Sequence, residues 1–341
     1  MEIKDNVMSI ADDYDAFFVD IYGVLFDGAV LFDGTLSTLE RLNNLGKKII
    51  ILSNSTQTAL DAMIGYAQRG MAMGVHYDKF VTSGEFLRHT LIGNSEEFQR
   101  VLGRRPVSYR CMFMGNDSIF RSAGLEKTSD DDAADFFYIG VPRASYGAVR
   151  VDNVRDEAGR PVKIEDLGNH DWKRLRDDHG RRGFEEFAIQ LEMCLRKNKL
   201  LVVANPDIFA HGTLDHTENR YPIVTQGCLG AYYEKLGGRV IYFGKPLPGI
   251  FEYARRFVDP KDRIVMVGDT PWTDIAGANG VGIDSLLVMT GIAAEFCKGV
   301  GLSPKSAKKL DTLFGEIAPL MLKANFSPRP TYLARRFAAI N

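Results

Sequence analysis

In four short segments of this chain an apolar run ends on a side chain able to bind a cation or an anion. The run 17–19 (FFV) ends at Asp20 and passes into a glycine-containing turn, IYGVLFDG. A carboxylate at the tip of a buried strand is costly unless a cation or hydrogen-bond donors meet it. Magnesium, which favours carboxylates, carbonyls and water, is one such partner; a plain strand-capping turn is the other reading. The run 48–52 (KIIIL) ends at Ser53 and Asn54. A hydroxyl and backbone N–H groups at a helix start suit a phosphate, although the same residues also make an ordinary N-cap. In FGKPLPGI (243–250), Lys245 sits at a turn where its ammonium either neutralises a carboxylate and phosphoryl oxygens or faces solvent. In VMVGDTPWTDIAGA (265–278), Asp269 follows a strand and Asp274 comes five residues later at a helix start. The two carboxylates can face one cation, directly or through water, while Asp274 also has the chemistry of a cap. Asp27, seven residues past Asp20, reads as a turn residue.

The elements that carry these residues alternate strand and helix. Helical spacing over 35–45 lies between the first two runs, a second helix is expected over 58–69, and a strand over 80–84. The grammar returns late in the chain, with strands at 239–243, 263–267 and 285–289 and helices at 250–257 and from 274. Such alternation predicts a parallel sheet covered on both faces, with ligands just outside the carboxyl ends of its strands. The fold class is therefore α/β, a Rossmann-like three-layer parallel-sheet core. The middle of the chain has strands of its own at 109–114, 136–139 and 200–204, and a helix at 184–196. It reads as a second α/β domain inserted into the first, giving a core of 1–85 and 226–341 around an insertion of 86–225. Within the insertion, residues 143–182 are so rich in Arg, Asp and Gly that a long surface excursion is expected. The tail from Ser303 holds a basic helix and SPRPTYLARRF, whose charges are read as a solvated face.

The bulk numbers narrow the class. A length of 341 residues suits two domains, and 45% hydrophobic with 25% charged residues is ordinary for a folded protein. A formal net charge of -2 argues against broad nucleic-acid binding. Cys111, Cys194, Cys228 and Cys297 form no CxxC pair, so they read as reduced structural thiols rather than a zinc site. The first residues, MEIKDNVMSIADDYD, do not resemble a signal peptide, and no run reaches the roughly 20 apolar residues of a membrane helix. A cytoplasmic protein with no membrane partner is the expectation.

Taken in order, an Asp strand, a Ser/Asn strand, a Lys turn and Gly-Asp-x4-Asp resemble the haloacid-dehalogenase-like hydrolase superfamily, whose members are mostly magnesium-dependent phosphatases. TSGE (82–85), MFMGNDSIFRSAG (112–124), VVANPD (202–207) and QGCLGAYYEKLGG followed by GKP are similar to its class IIA branch. That branch includes bacterial nucleotide and sugar phosphatases and 4-nitrophenylphosphatase-like enzymes, with an α/β cap (C2 type) between the Ser/Asn strand and the Lys turn. The resemblance implies that Asp20 is a nucleophile forming an aspartyl-phosphate. It implies magnesium on Asp20, the Tyr22 carbonyl, Asp269 and Asp274, and a phosphoryl group held by Ser53, Asn54 and Lys245. Gly84, Asn205 and Asp207 match segments near the cap hinge and are read as supporting the substrate site. The implied partner is a small phosphorylated metabolite, a sugar phosphate or nucleotide. Cap surfaces often pair in this branch, so a homodimer is also implied.

One position departs from the pattern. Phosphatases of this family carry a second Asp two residues after the nucleophile, which protonates the leaving oxygen and then activates water. Here that residue is Tyr22, and a phenol with an unperturbed pKa near ~10 is a poor base at neutral pH. Three readings follow: a slow or leaving-group-selective phosphatase, an acid supplied by another residue, or a phosphoryl binder without turnover. A dehalogenase, which needs no leaving-group proton, stands third among functions; its different cap and lack of magnesium set it against the intact Gly-Asp-x4-Asp.

Overall fold

The computed structural model describes residues 1–93, 96–115, 117–211, 221–297, 302–303, 307–317 and 326–339. The chain divides into two units, residues Met1–Ser83 with Gly244–Asn341, and Gly84–Phe243.

The first unit is built on a seven-stranded sheet. Across it the strands run Glu2–Lys4, Tyr332–Ala334, Asp284–Val288, Ile264–Gly268, Ala16–Val19, Lys48–Ser53 and Lys79–Thr82, and every neighbouring pair is parallel. All four residues of Ala16–Val19 are buried, as expected for a strand covered on both faces. Phe17, Val19, Ile49, Ile51, Val265 and Val267 share one core with Leu39 and Leu42 of helix Thr35–Asn44. The alternate residues Phe18, Ile50, Leu52 and Met266 point the other way and are buried too. Strand order reverses at Ala16–Val19: the chain moves outward from it to Lys48–Ser53 and Lys79–Thr82, and later returns to place Ile264–Gly268, Asp284–Val288 and Tyr332–Ala334 between it and the edge strand Glu2–Lys4. Parallel sheets bind ligands at such a reversal, past the carboxyl ends.

Two strands of this sheet went unread in the sequence. Glu2–Lys4 pairs with Tyr332–Ala334, and Tyr332–Ala334 lies between it and Asp284–Val288. The tail is thus an inner strand, with Leu333 and Ala334 fully buried, while Arg335 and Arg336 remain exposed as expected. The basic helix falls at Ala307–Ile317, and its surroundings at 304–306 and 318–325 lie outside the described residues.

The second unit has a parallel five-stranded sheet in the order Arg239–Tyr242, Leu200–Val203, Phe136–Ile139, Ser108–Met112, Glu126–Lys127. The boundary expected at 225/226 is corrected here. Helix Gln226–Lys235 and strand Arg239–Tyr242 belong to this unit, because Arg239–Tyr242 hydrogen-bonds along Leu200–Val203. Ile241 and Phe243 join Phe98, Phe120, Phe136 and Tyr138 in its core.

The expected excursion of 143–182 is corrected as well. It buries Val149, Val151, Val154, Leu167, Trp172 and Leu175. Trp172 stacks on Tyr232 with centroids 3.9 Å apart, and its ring nitrogen donates to the Leu167 carbonyl at 3.1 Å. Several of the charges are consumed in local turns. Asp156 accepts the backbone N–H groups of Ala158 and Arg160 and the Arg160 side chain; Asp177 accepts those of His179 and Arg181 and the Arg181 side chain. Composition suggested a stretch too polar to pack, but carboxylates paired within their own turns leave the apolar residues free to go inside.

Candidate active site

Asp20 and Asp269 follow adjacent parallel strands, so the sheet itself sets their spacing. The Asp20 N–H continues the ladder by donating to the Val267 carbonyl at 2.9 Å. Beyond Asp269 the backbone makes a π-helical turn, Pro271–Ile275, before helix Ala276–Gly280. That turn brings Asp274 back to the strand end, where its Oδ2 accepts the N–H groups of Asp269 and Thr270, both at 3.1 Å. Ligand oxygens of Asp20, Asp269 and Asp274 all lie within 4.8 Å of one another, and all three side chains are buried. It is the one such acidic cluster found among the described residues.

Lys245 supplies the cation at the centre. Its Nζ lies 2.7 Å from Asp20 Oδ1 and 2.7 Å from Asp274 Oδ1, and donates to the Leu52 carbonyl at 2.8 Å. The residue is 2% exposed, which overturns the alternative of a solvent-facing loop lysine. Asn54 explains how a turn residue is held so firmly. Its Oδ1 accepts the Lys245 N–H at 2.7 Å and its Nδ2 donates to the Lys245 carbonyl at 3.0 Å, while the Ser83 hydroxyl donates to the same Oδ1 at 3.1 Å. The Asn54 side chain is thus a brace for Lys245. Ser53 is 4% exposed and its hydroxyl accepts the Ser55 N–H at 3.2 Å.

The electrostatics are unbalanced. Burial pushes the Asp20 carboxyl up to about 6, against the pull of the Lys245 ammonium and with help from the Asp274 charge. Burial, then the charges of Asp274 and Asp20, hold Asp269 well above the ordinary carboxyl range. Burial pulls Lys245 down, but Asp20 and Asp274 outweigh it and leave the ammonium above its usual value. Three buried carboxyl groups face one buried ammonium, so ionising all three leaves a deficit of positive charge. A hard divalent cation fits that deficit and that all-oxygen donor set.

Tyr22 is half open, at 53% exposure, with its ring edge-on to Phe26 at 5.2 Å. Burial of its hydroxyl end is the largest influence and raises its pKa, although Arg69 and Tyr66 pull the other way. Both neighbours escaped the sequence reading. Arg69 lies over the rings of Phe26 and Tyr66, at 5.2 and 5.9 Å, and no spacing rule links a residue at the end of one helix to a loop more than 40 residues earlier. Asp27 accepts the N–H groups of Ala29 and Val30, as its turn reading requires. Gly84, Asn205 and Asp207 belong to the second unit, where Asn205 accepts the Asp207 N–H and the Asp207 carbonyl accepts the Thr225 hydroxyl.

Known proteins resemble the chain in the parts that carry this cluster. Residues 17–123 match the family described as haloacid dehalogenase-like hydrolase, and residues 242–299 match a second family described as HAD-hydrolase-like. Phosphoglycolate phosphatase 2 of Arabidopsis thaliana is 23% identical over 300 residues, covering 86% of this chain and 88% of the plant protein. A haloacid dehalogenase-like hydrolase from Brucella suis 1330 superposes with a TM-score of 0.64 at 21% identity, over 98% of this chain and all of the other. Glycerol phosphate phosphatase from Mycobacterium tuberculosis, solved in complex with magnesium, superposes with a TM-score of 0.56 at 19% identity, over 96% of this chain and 77% of the other.

Proposed function

Because this chain belongs to the haloacid-dehalogenase-like hydrolases, we propose that it is a magnesium-dependent phosphatase of a small phosphorylated metabolite. The observation that carries the reading is Lys245, buried between Asp20 and Asp274 inside a cluster that still lacks positive charge. Asp20, the Tyr22 carbonyl, Asp269 and Asp274 would hold the cation, which when bound neutralises the carboxylates and draws charge from phosphoryl oxygens.

The chain's own residues do the rest. A carboxylate oxygen of Asp20 attacks phosphorus as the ester P–O bond breaks, giving an aspartyl-phosphate and a free alcohol. Water then attacks that phosphorus, returning the Asp20 carboxylate and releasing phosphate. Lys245 keeps Asp20 ionised and meets the charge on the transferring oxygens. The Ser53 hydroxyl and the Asn54 backbone orient the phosphoryl group for in-line attack. Tyr22 is a weak proton donor for the leaving oxygen, so esters with good leaving groups should turn over best.

Glycolate and glycerol phosphates are the first compounds to screen, since similar proteins are named for them, beside sugar phosphates and nucleotides. Release of inorganic phosphate should require magnesium and fall to background in Asp20→Asn; equal release by that variant would end the proposal. A second reading, a phosphoryl-ligand binder without turnover, is favoured only by Tyr22 and would show as saturable phosphate binding with no substrate consumed.

A further inference from the structure

The acidic cluster is braced by a loop that contributes none of its three carboxylates. Strand Asp284–Val288 ends beside Gly268, and the chain continues through Met289, Thr290 and Gly291 into a short helix, Gly291–Phe296. Ile292 N–H donates to Asp269 Oδ2 at 2.6 Å, and Ala293 N–H donates to the Asp269 carbonyl at 3.0 Å. The Thr290 hydroxyl donates to the Gly23 carbonyl. Gly23 N–H in turn donates to the Phe26 carbonyl at 2.8 Å. Gly23 is therefore anchored through its N–H, which shares a peptide with the Tyr22 carbonyl, and through its own carbonyl.

The contact is closed sterically as well. Gly23 and Gly291 have φ values of +80° and +53°, in the left-handed region that side chains avoid. A methyl group built on either one would fall on the Asp269 carboxylate, and the two backbones also lie against each other. The Asp269 carboxylate is thus held between two glycines, one from the turn after Asp20 and one from the loop after the neighbouring strand.

We propose that Thr290 and Gly291 are positioning residues for the cation: together with the Ile292 N–H they set the spacing between the Asp269 carboxylate and the Tyr22 carbonyl, and thereby the affinity and the size selectivity of the site. The proposal rests on the reading of the cluster as a magnesium site. Outer groups that orient ligands commonly carry about 10–100-fold of metal affinity. Magnesium demands near-octahedral geometry, whereas calcium tolerates irregular ligands. Loosening the Gly23 peptide should therefore cost magnesium more than calcium.

The test is calorimetric titration of magnesium and calcium into full-length Thr290→Val, Thr290→Ser and Gly291→Ala, with melting curves in EDTA beside them. Thr290→Val keeps the shape of the side chain and loses its donor. It should bind magnesium about 10-fold or more weakly, shift the Mg/Ca preference towards calcium, and melt close to wild type without metal. Thr290→Ser should restore both affinity and preference. Gly291→Ala should be weaker still, but it is the variant most exposed to misfolding, so the inference rests on the threonine pair. Unchanged magnesium affinity in Thr290→Val, or an equal loss for both ions not restored by Ser, would overturn it. If wild-type protein takes up neither ion, the metal reading itself fails.

Discussion

At the scale of single residues, Tyr22 and Asn54 are the informative positions. Asn54 is one of the residues the sequence marked, but its side chain serves Lys245. That brace keeps an ammonium 2% exposed between two carboxylates, an arrangement that is expensive to break from one side. Tyr22 replaces a carboxylate with a phenol whose pKa is raised further by burial. The consequence is measurable. Tyr22→Asp should speed hydrolysis of an alkyl phosphate by about 10²–10⁴-fold, the usual worth of a general acid/base, and should gain far less on 4-nitrophenyl phosphate, whose leaving group needs little help. Equal gains on the two esters would show that leaving-group protonation is not what Tyr22 limits.

At the scale of elements, what the sequence revealed follows from how strongly each element repeats its pattern. Lys48–Ser53 and Ile264–Gly268 are continuous apolar runs and were legible to within a residue. The places of Asp20, Ser53 and Asp269 at the ends of Ala16–Val19, Lys48–Ser53 and Ile264–Gly268 were legible with those strands. Tyr332–Ala334 was not, because three residues cannot show a period and the arginines around them advertise a surface. Residues 143–182 misled for a related reason: composition counts charges but not which of them pair within their own turns. Asp274 was placed at a helix start, but the π-helical turn that returns it to the cluster has no sequence signature. Both unexpected elements should matter energetically. Leu333→Ala should cost about 2–5 kcal/mol and Trp172→Ala about 3–5 kcal/mol in urea unfolding. A change under about 0.5 kcal/mol in either, the range of ordinary surface substitutions, would mean that the tail strand or the 143–182 segment does not pack as described.

At the scale of the whole molecule, the acidic cluster ties stability to pH and to metal. Without a cation, burial holds Asp20 at about 6 and Asp269 well above its ordinary value. In the unfolded chain both would lose their protons near pH ~4. The folded form therefore binds more protons between those values, and its stability in EDTA should fall as pH rises from about 4 through 6. A bound divalent cation should offset this at neutral pH, by about 2.7 kcal/mol at a hundredfold excess over Kd. Melting curves with EDTA and with magnesium at pH 5 and pH 7 read both effects; a magnesium-induced gain that is larger at pH 5 would contradict the sign. Among the described residues no helix is long and apolar enough to cross a membrane.

In the proposed reaction Asp20 carries the phosphoryl group during turnover. Acid-quenching the magnesium-loaded protein during hydrolysis of a good substrate, then digesting it and locating phosphate by mass spectrometry, addresses that claim without an inference from rates. Phosphate is expected on the peptide containing Asp20, and on neither unreacted protein nor Asp20→Asn. Steady release of phosphate with that peptide unmodified in every quench, and with Asp20→Asn as active as wild type, would contradict it.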